Sequence, residues 1–214
     1  MIQNLFSSQI WLCSLNVESH IKNKILNCIE QNFKNNKSYL HPFWSCSVHS
    51  TILEHNDDID YSEIIPYFKN EYEKFALAIN LKNHNYTIPI MWYNYYLKGY
   101  NQEIHDHISD DGNNIYSAVY FLKLTKDHPL ITFYNYTNYH VLYSSKKNIK
   151  EIYWNDNINH SITTHQFSLD VEEDSFVIFP SYMPHGVFVQ KTDEPRITIS
   201  MNFALENKNG SSDQ

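Results

Sequence analysis

The sequence predicts a mainly β fold: a double-stranded β-helix, or jelly roll, with N-terminal helices packed on one of its two sheets. Three observations carry this. Aromatic residues make up 15% of the chain, with 17 Tyr and 12 Phe, side chains that suit pleated, half-buried surfaces. After residue 86 the chain breaks into short aromatic and β-branched runs, IPIMWYNYYL, IYSAVYFLKL, LITFYNY, HVLYS, FVIFP, GVFVQ and ITISMNF, separated by Asn, Asp, Pro and Lys clusters. No long helical period interrupts them, which disfavours a parallel βαβ sheet and favours two antiparallel sheets of about eight strands in all.

The elements follow in order. Ile10-Trp11-Leu12 predicts a first strand. Ile21, Ile25, Ile29 and Phe33 recur every four residues and predict a helix whose apolar stripe packs in the core. Asn16 is the expected cap, with Glu18 in the first turn. Residues 35–60 are mixed and polar, with Trp44 and Val48 as strand material. A second helix is expected over 61–81, with Ile65, Phe68, Tyr72, Phe75 and Ile79 on its apolar face and Pro66 near its first turn. Residues 137–168, rich in Asn, Lys, His and Ser, read as an insertion or lid between strands. With only 4 Gly in the chain, turns fall to Asn and Asp.

At 214 residues the chain is expected to form one domain: 1–85 packing on the barrel, 86–205 as the jelly-roll core, and 206–214 as a polar tail. The net charge of −8 without a basic face argues against nucleic acid. The odd set Cys13, Cys28 and Cys46, without CxxC spacing, reads as reduced thiols in a cytoplasmic protein. Neither a signal peptide nor a membrane span is legible. The expectation is a monomer or homodimer acting on a small molecule.

The chemistry concentrates in two stretches. In GYNQEIHDHISDDG, residues 99–112, His105 and His107 are two apart, so a strand places both on one face. A third imidazole from a distant strand would complete a facial metal site, and borderline metals such as iron accept imidazole. The second stretch, Phe176 to Phe203, supplies His185 and, eleven positions on, Arg196, the only arginine of the chain. A planar guanidinium grips a carboxylate bidentately, which lysine does not. Arg196 also lies on the polar side of an alternating strand, with Thr198 and Ser200, a face that would point into a barrel cavity. The competing reading of Arg196 is a surface residue paired with Asp193 or Glu194. The remaining histidines, His20, His41, His49, His55, His84, His128, His140, His160 and His165, are scattered among polar residues and read as surface or incidental.

Trp92-Tyr93-Asn94, Gly99, His105-Asp106-His107, Ser117-Ala118-Val119-Tyr120, Phe179-Pro180-Ser181, Pro184-His185 and Arg196-Ile197-Thr198-Ile199-Ser200 come in an order that resembles the iron(II)/2-oxoglutarate-dependent dioxygenases. More narrowly, the chain resembles the 2-oxoglutarate oxygenase family with a His-x-His motif, over roughly residues 88–204. The resemblance implies a double-stranded β-helix, Fe(II) held by His105, His107 and His185, and 2-oxoglutarate held by Arg196 with Thr198. It implies consumption of O2 and release of succinate and CO2, with hydroxylation of a small-molecule or amino-acid-like substrate. Asn94 and Tyr120 become candidate cosubstrate neighbours, and Trp92, Tyr116 and Tyr182 candidate substrate contacts.

Two positions depart from that pattern. His107 stands where the superfamily has a carboxylate ligand, so either the site is three-histidine, or Asp110 or Asp111 swings in from the following loop in its place, or His107 is not a ligand. Val171-Glu172-Glu173-Asp174 stands where a glycine-containing turn is usual. Two alternatives accompany the oxygenase reading: a three-histidine cupin-type dioxygenase without 2-oxoglutarate, in which Arg196 grips the substrate, and a non-enzymatic jelly-roll binding module.

Overall fold

The computed structural model describes residues 8–35, 39–40, 44–52, 58–81, 85–109, 112–135 and 166–206. Two helices, α1 (Ser19–Lys34) and α2 (Ile65–Ala78), accompany β1 (Trp11–Ser14), β2 (Tyr39–Leu40), β3 (His49–Ser50) and β4 (Asn85–Thr87). The strands β5 (Met91–Tyr96), β6 (Gln102–His105), β7 (Asn114–Lys123), β8 (Ile131–Tyr134), β9 (Gln166–Ser168), β10 (Ser175–Pro180), β11 (His185–Val187) and β12 (Arg196–Glu206) follow. The large sheet runs β1-β10-β7-β12-β5-β3-β2, with β4 also on β12, and the small one β6-β11-β8-β9. Every pairing is antiparallel. This is the double-sheet jelly roll. Among the described residues, no helix is long and apolar enough to cross a membrane.

The large sheet is buried on both faces, and its strands divide their side chains accordingly. Outward, Tyr93, Ala118, Tyr120, Phe176, Ile197, Ile199, Met201 and Phe203 pack against Ile21, Ile25 and Ile29 of α1 and Phe68, Tyr72 and Phe75 of α2. Inward, Val119, Phe121, Val177 and Phe179 meet Ile131 and Phe133 of the small sheet. A third cluster of Cys46, Val48, Tyr96 and Val187, with Trp44 against it, closes the barrel beside β5 and β11. The four-residue stripe of α1 is thus core, and Pro66 sits in the first turn of α2, where its missing N–H costs nothing.

Several expectations change. Asn16 does not cap α1: Glu18 is the N-cap residue, its carbonyl accepting from Ile21 and Lys22. Asn16 instead takes φ 52° in the turn before the helix. The second helix is shorter than 61–81: Tyr61 to Ile64 form a turn before α2, and past its far end Asn80 takes a left-handed φ of 59°. The strand HVLYS and most of the 137–168 segment lie outside the described residues; its last residues form β9, on the edge of the small sheet. His128 is not a surface histidine. It is 3% exposed, its Nδ1 accepts from the Thr125 N–H at 2.9 Å, and its Nε2–H donates to the Glu194 carbonyl at 2.9 Å.

That bonding fixes His128 as neutral, and burial lowers its pKa below 6.5, with Arg196 and Lys123 adding repulsion. The unfolded chain takes the proton first as pH falls, so His128 costs nothing above about 6.5 and removes stability below it. Metal-free wild type should lose more melting temperature between pH 7.5 and 5.5 than His128→Gln does. Equal losses would show that His128 carries no part of the acid sensitivity.

The turn without glycine is resolved by Asp174, which takes the left-handed φ of 72° itself. Its carboxylate accepts from the Tyr120 hydroxyl at 2.6 Å and the Val17 N–H at 3.4 Å, and lies 3.9 Å from the Lys22 ammonium. One side chain therefore fixes the turn and ties β10 to the entry of α1. Asp174→Ala loses buried charge-assisted bonds and gains left-handed strain, an expected destabilisation of about 2–4 kcal/mol in urea unfolding. Asp174→Asn, which tolerates the backbone and keeps an acceptor, should cost less than half of that.

Candidate metal and cosubstrate site

Three imidazoles meet between the sheets. His105 ends β6 directly opposite His185, the first residue of β11. His107 follows in an extended segment held by its N–H to the Ser181 carbonyl at 2.8 Å. The ring centroids of His105, His107 and His185 lie 4.4 to 5.3 Å apart. One ring nitrogen from each falls within 4.8 Å of the others. The pairing of β6 with β11 carries an extra residue: Gln102 faces Val187 while His105 faces His185. Gly186 permits this close approach, since a Cβ there would stand 3.0 Å from the Gln102 carbonyl oxygen and 3.2 Å from that of Glu103.

The far side of each ring is tied down. His105 Nδ1 bonds the Glu103 carbonyl at 2.8 Å, His185 Nδ1 the Met183 carbonyl at 2.9 Å, and His107 Nδ1 the Asn202 side-chain oxygen at 3.0 Å. Ser117 donates to the same Asn202 oxygen at 2.9 Å, so the amide is itself oriented. All three partners are acceptors, so Nδ1 carries the proton and each Nε2 keeps its lone pair; that of His105 accepts from the Gln102 side-chain amide at 3.4 Å. Burial lowers all three pKa values, and repulsion from the neighbouring imidazoles adds to it for His107, which falls to about 4, and for His185, which falls well below 6.5. The rings are neutral at pH 7, as metal ligands must be.

Arg196 opens on the same cavity from β12. It is 1% exposed, and its Nε and Nη1 have no hydrogen-bond partner. Its guanidinium carbon lies 4.7 Å from the Tyr96 ring centre and 5.4 Å from that of Phe121. The surface-pair reading fails: Asp193 pairs with Lys98 at 3.0 Å and Glu194 approaches Lys123 at 3.7 Å. Desolvation pushes the Arg196 pKa down, and the neighbouring Tyr96 hydroxyl opposes the shift. A buried cation with idle donors is costly unless an anion arrives.

The cavity measures about 290 Å³ and exposes the three histidines, Arg196, Thr198 and Asn94. Cross-strand register explains the set: Arg196 faces Tyr96, Thr198 faces Asn94 and Ser200 faces Trp92, all on the inner face. Trp92 lines the cavity as expected. Three expected neighbours do not. Tyr120 points to the opposite face of β7, where it bonds Asp174 and packs on Phe68. Tyr116 also turns outward, onto Tyr72 and Phe75. Tyr182 is 57% exposed and, with Tyr116, lines an adjoining hollow of about 260 Å³. Asp110 and Asp111 lie outside the described residues. Asn202 lies on the same polar face of β12 as Arg196, Thr198 and Ser200, and its role behind His107 needs β12 and the segment after β6 brought together.

An antiparallel jelly roll that brings three neutral imidazoles and a buried arginine to one cavity is suited to holding a metal beside an anionic cosubstrate. The chain belongs to the family described as Putative 2OG-Fe(II) oxygenase, whose model matches residues 90–202. No curated protein sequence matches it. Its fold is similar to a Pseudomonas putida prolyl-4-hydroxylase, with 11% identity, a TM-score of 0.60, and coverage of 94% of this chain and 95% of that one. It is also similar to the α-ketoglutarate-dependent carbocyclase SnoK from nogalamycin biosynthesis, at 8% identity and a TM-score of 0.62, covering 92% and 79%. HygX from Streptomyces hygroscopicus, solved with nickel and 2-oxoglutarate bound, has 10% identity and a TM-score of 0.51, covering 92% and 83%. At these identities the likeness is one of fold.

Proposed function

We propose that the chain is a hydroxylase of a small-molecule or amino-acid-like substrate, with His105, His107 and His185 holding Fe(II) and Arg196 seating 2-oxoglutarate. The observation that carries this is the pairing, in one cavity, of three inward Nε2 lone pairs with a buried guanidinium whose Nε and Nη1 are idle. Iron and cosubstrate together supply oxidative decarboxylation to succinate and CO2 and the oxidant for a C–H bond.

The chain's own residues do the rest. Asn202 and the Glu103 and Met183 carbonyls hold the imidazoles in the ligating tautomer. Arg196 offers two N–H groups to the far carboxylate, with Thr198 and Asn94 beside it on the same face. Val119 lines the cavity, and Phe121, Phe133 and Phe179 form the apolar core behind it. Because the three ligands are neutral, the cavity lacks the ligand carboxylate of the superfamily pattern. That leaves the centre one charge more positive, which favours a dianionic cosubstrate.

Anaerobic addition of 2-oxoglutarate to the Fe(II) protein tests the reading. A visible metal-to-ligand charge-transfer band is expected, followed in air by one succinate per CO2. No band at saturating cosubstrate would sink it and favour direct substrate binding by a three-histidine centre.

A further inference from the structure

Both nitrogens of His105 have partners. Nδ1–H donates to the Glu103 carbonyl at 2.8 Å, so Nε2 is an acceptor, and the Gln102 side-chain nitrogen lies 3.4 Å from it. Only an amide N–H can face that lone pair, which fixes which way round the Gln102 amide sits. Its Oε1 then accepts from the Tyr96 hydroxyl. Tyr96 is buried, and its ring centre lies 4.7 Å from the Arg196 guanidinium carbon. Contact by contact, Gln102 and Tyr96 join the arginine of the cavity to one of its imidazoles, and all four side chains line the cavity.

An imidazole nitrogen has one lone pair. His105 gives it to Gln102 or to a metal, never to both. Ligation by His105 therefore releases the Gln102 amide, while Tyr96 keeps hold of its oxygen. The N–H groups so released stay beside His105 and need a new acceptor. 2-Oxoglutarate reaching from Arg196 towards the imidazoles runs past them, and as a dianion it offers only acceptors. An amide N–H on a carboxylate oxygen is a charge-assisted bond.

We propose that Gln102 is a positioning residue with two successive partners. It caps His105 Nε2 before metal is bound, and it donates to the metal-side end of 2-oxoglutarate afterwards. Loading is thereby ordered, metal before cosubstrate, because the donor that the cosubstrate uses is occupied until His105 is ligated. The proposal rests on the oxygenase reading above and adds to it a residue outside the ligand set and the arginine clamp. It also separates Gln102 from a brace of β6. Truncating a brace would weaken metal and cosubstrate together, whereas truncating Gln102 moves the two affinities in opposite directions.

Calorimetric titration of the full chain reads both signs. Nickel(II) alone should bind Gln102→Leu about two- to tenfold more tightly than wild type, since one neutral hydrogen bond no longer competes for His105. 2-Oxoglutarate added to the nickel-loaded proteins should bind Gln102→Leu about ten- to a hundredfold more weakly, the worth of a charge-assisted bond. Gln102→Met keeps the length, and its thioether still accepts weakly from Tyr96. It should repeat both shifts, and it decides the matter if Gln102→Leu does not fold. The proposal is overturned if the folded variant binds nickel(II) no more tightly than wild type, or if it binds 2-oxoglutarate as tightly as wild type. Failure of the oxygenase reading is a separate result: wild type would then give neither a 2-oxoglutarate isotherm nor a charge-transfer band, while the nickel(II) comparison still judges the cap on His105.

Discussion

Arg196→Met is expected to make the cosubstrate-free protein more stable and unable to bind 2-oxoglutarate. The guanidinium is 1% exposed, with no carboxylate against it and two idle nitrogens, so it is a desolvated charge waiting for its partner. Replacing a buried ionic group by an apolar one of similar length is worth up to about 1–4 kcal/mol. The same change removes the far-carboxylate contact, costing about 2–5 kcal/mol of affinity, or roughly thirty- to several-thousandfold. Denaturant unfolding and 2-oxoglutarate titration of the same sample read both effects. Wild type should also gain melting temperature on adding 2-oxoglutarate with metal, and Arg196→Met should not. A variant that is less stable but binds normally would place the cosubstrate elsewhere. Arg196→Lys, which keeps the charge and loses the planar fork, should fall between the two.

His185→Ala should abolish stoichiometric metal binding. His185 is the ring most deeply enclosed, 4% exposed and in contact with His105, His107, Phe133 and Phe179. Removing it leaves two imidazoles on a bond-poor apolar wall. Asn202→Ala separates ligation from orientation: it frees the His107 ring without touching a ligand, and should weaken metal affinity about 10- to 100-fold. Metal analysis after dialysis, and competition with a chromogenic chelator, give both numbers. If His185→Ala retained one equivalent of metal while Asn202→Ala lost it, the three-histidine assignment would be wrong. His107→Asp then asks what the unusual position contributes: a working site with altered cosubstrate affinity is expected, because the aspartate restores the charge that histidine withholds.

How much of this was legible beforehand differs by residue. The strand period placed His105 and His107 together, and the alternation Arg196, Thr198, Ser200, Asn202 against Ile197, Ile199, Met201, Phe203 told the cavity face from the helix face on β12. Along β7 the same logic is silent. Both of its faces are buried, one under the helices and one in the barrel, so Tyr120 and its neighbours Val119 and Phe121 look alike in sequence. That is why Tyr120 was expected at the cosubstrate and is found on Asp174. His128 was misread for a related reason: its burial comes from the turn around Glu194, 66 residues away in the chain. Glu103 sits in a polar-looking run, and only the extra residue opposite Gly186 sets the path of β6 there.

The sequence by itself determined the class: jelly roll, three candidate imidazoles, one arginine at a fixed spacing, and the 2-oxoglutarate oxygenase family they resemble. Those are local facts, set by side-chain period and by residue type. Tertiary structure decided what the site lacks and what it leaves open. It buried Arg196 without a counter-charge and turned each imidazole's Nδ1 to an acceptor. Satisfaction of a buried polar atom depends on which strands close over it, and no period in the chain encodes that.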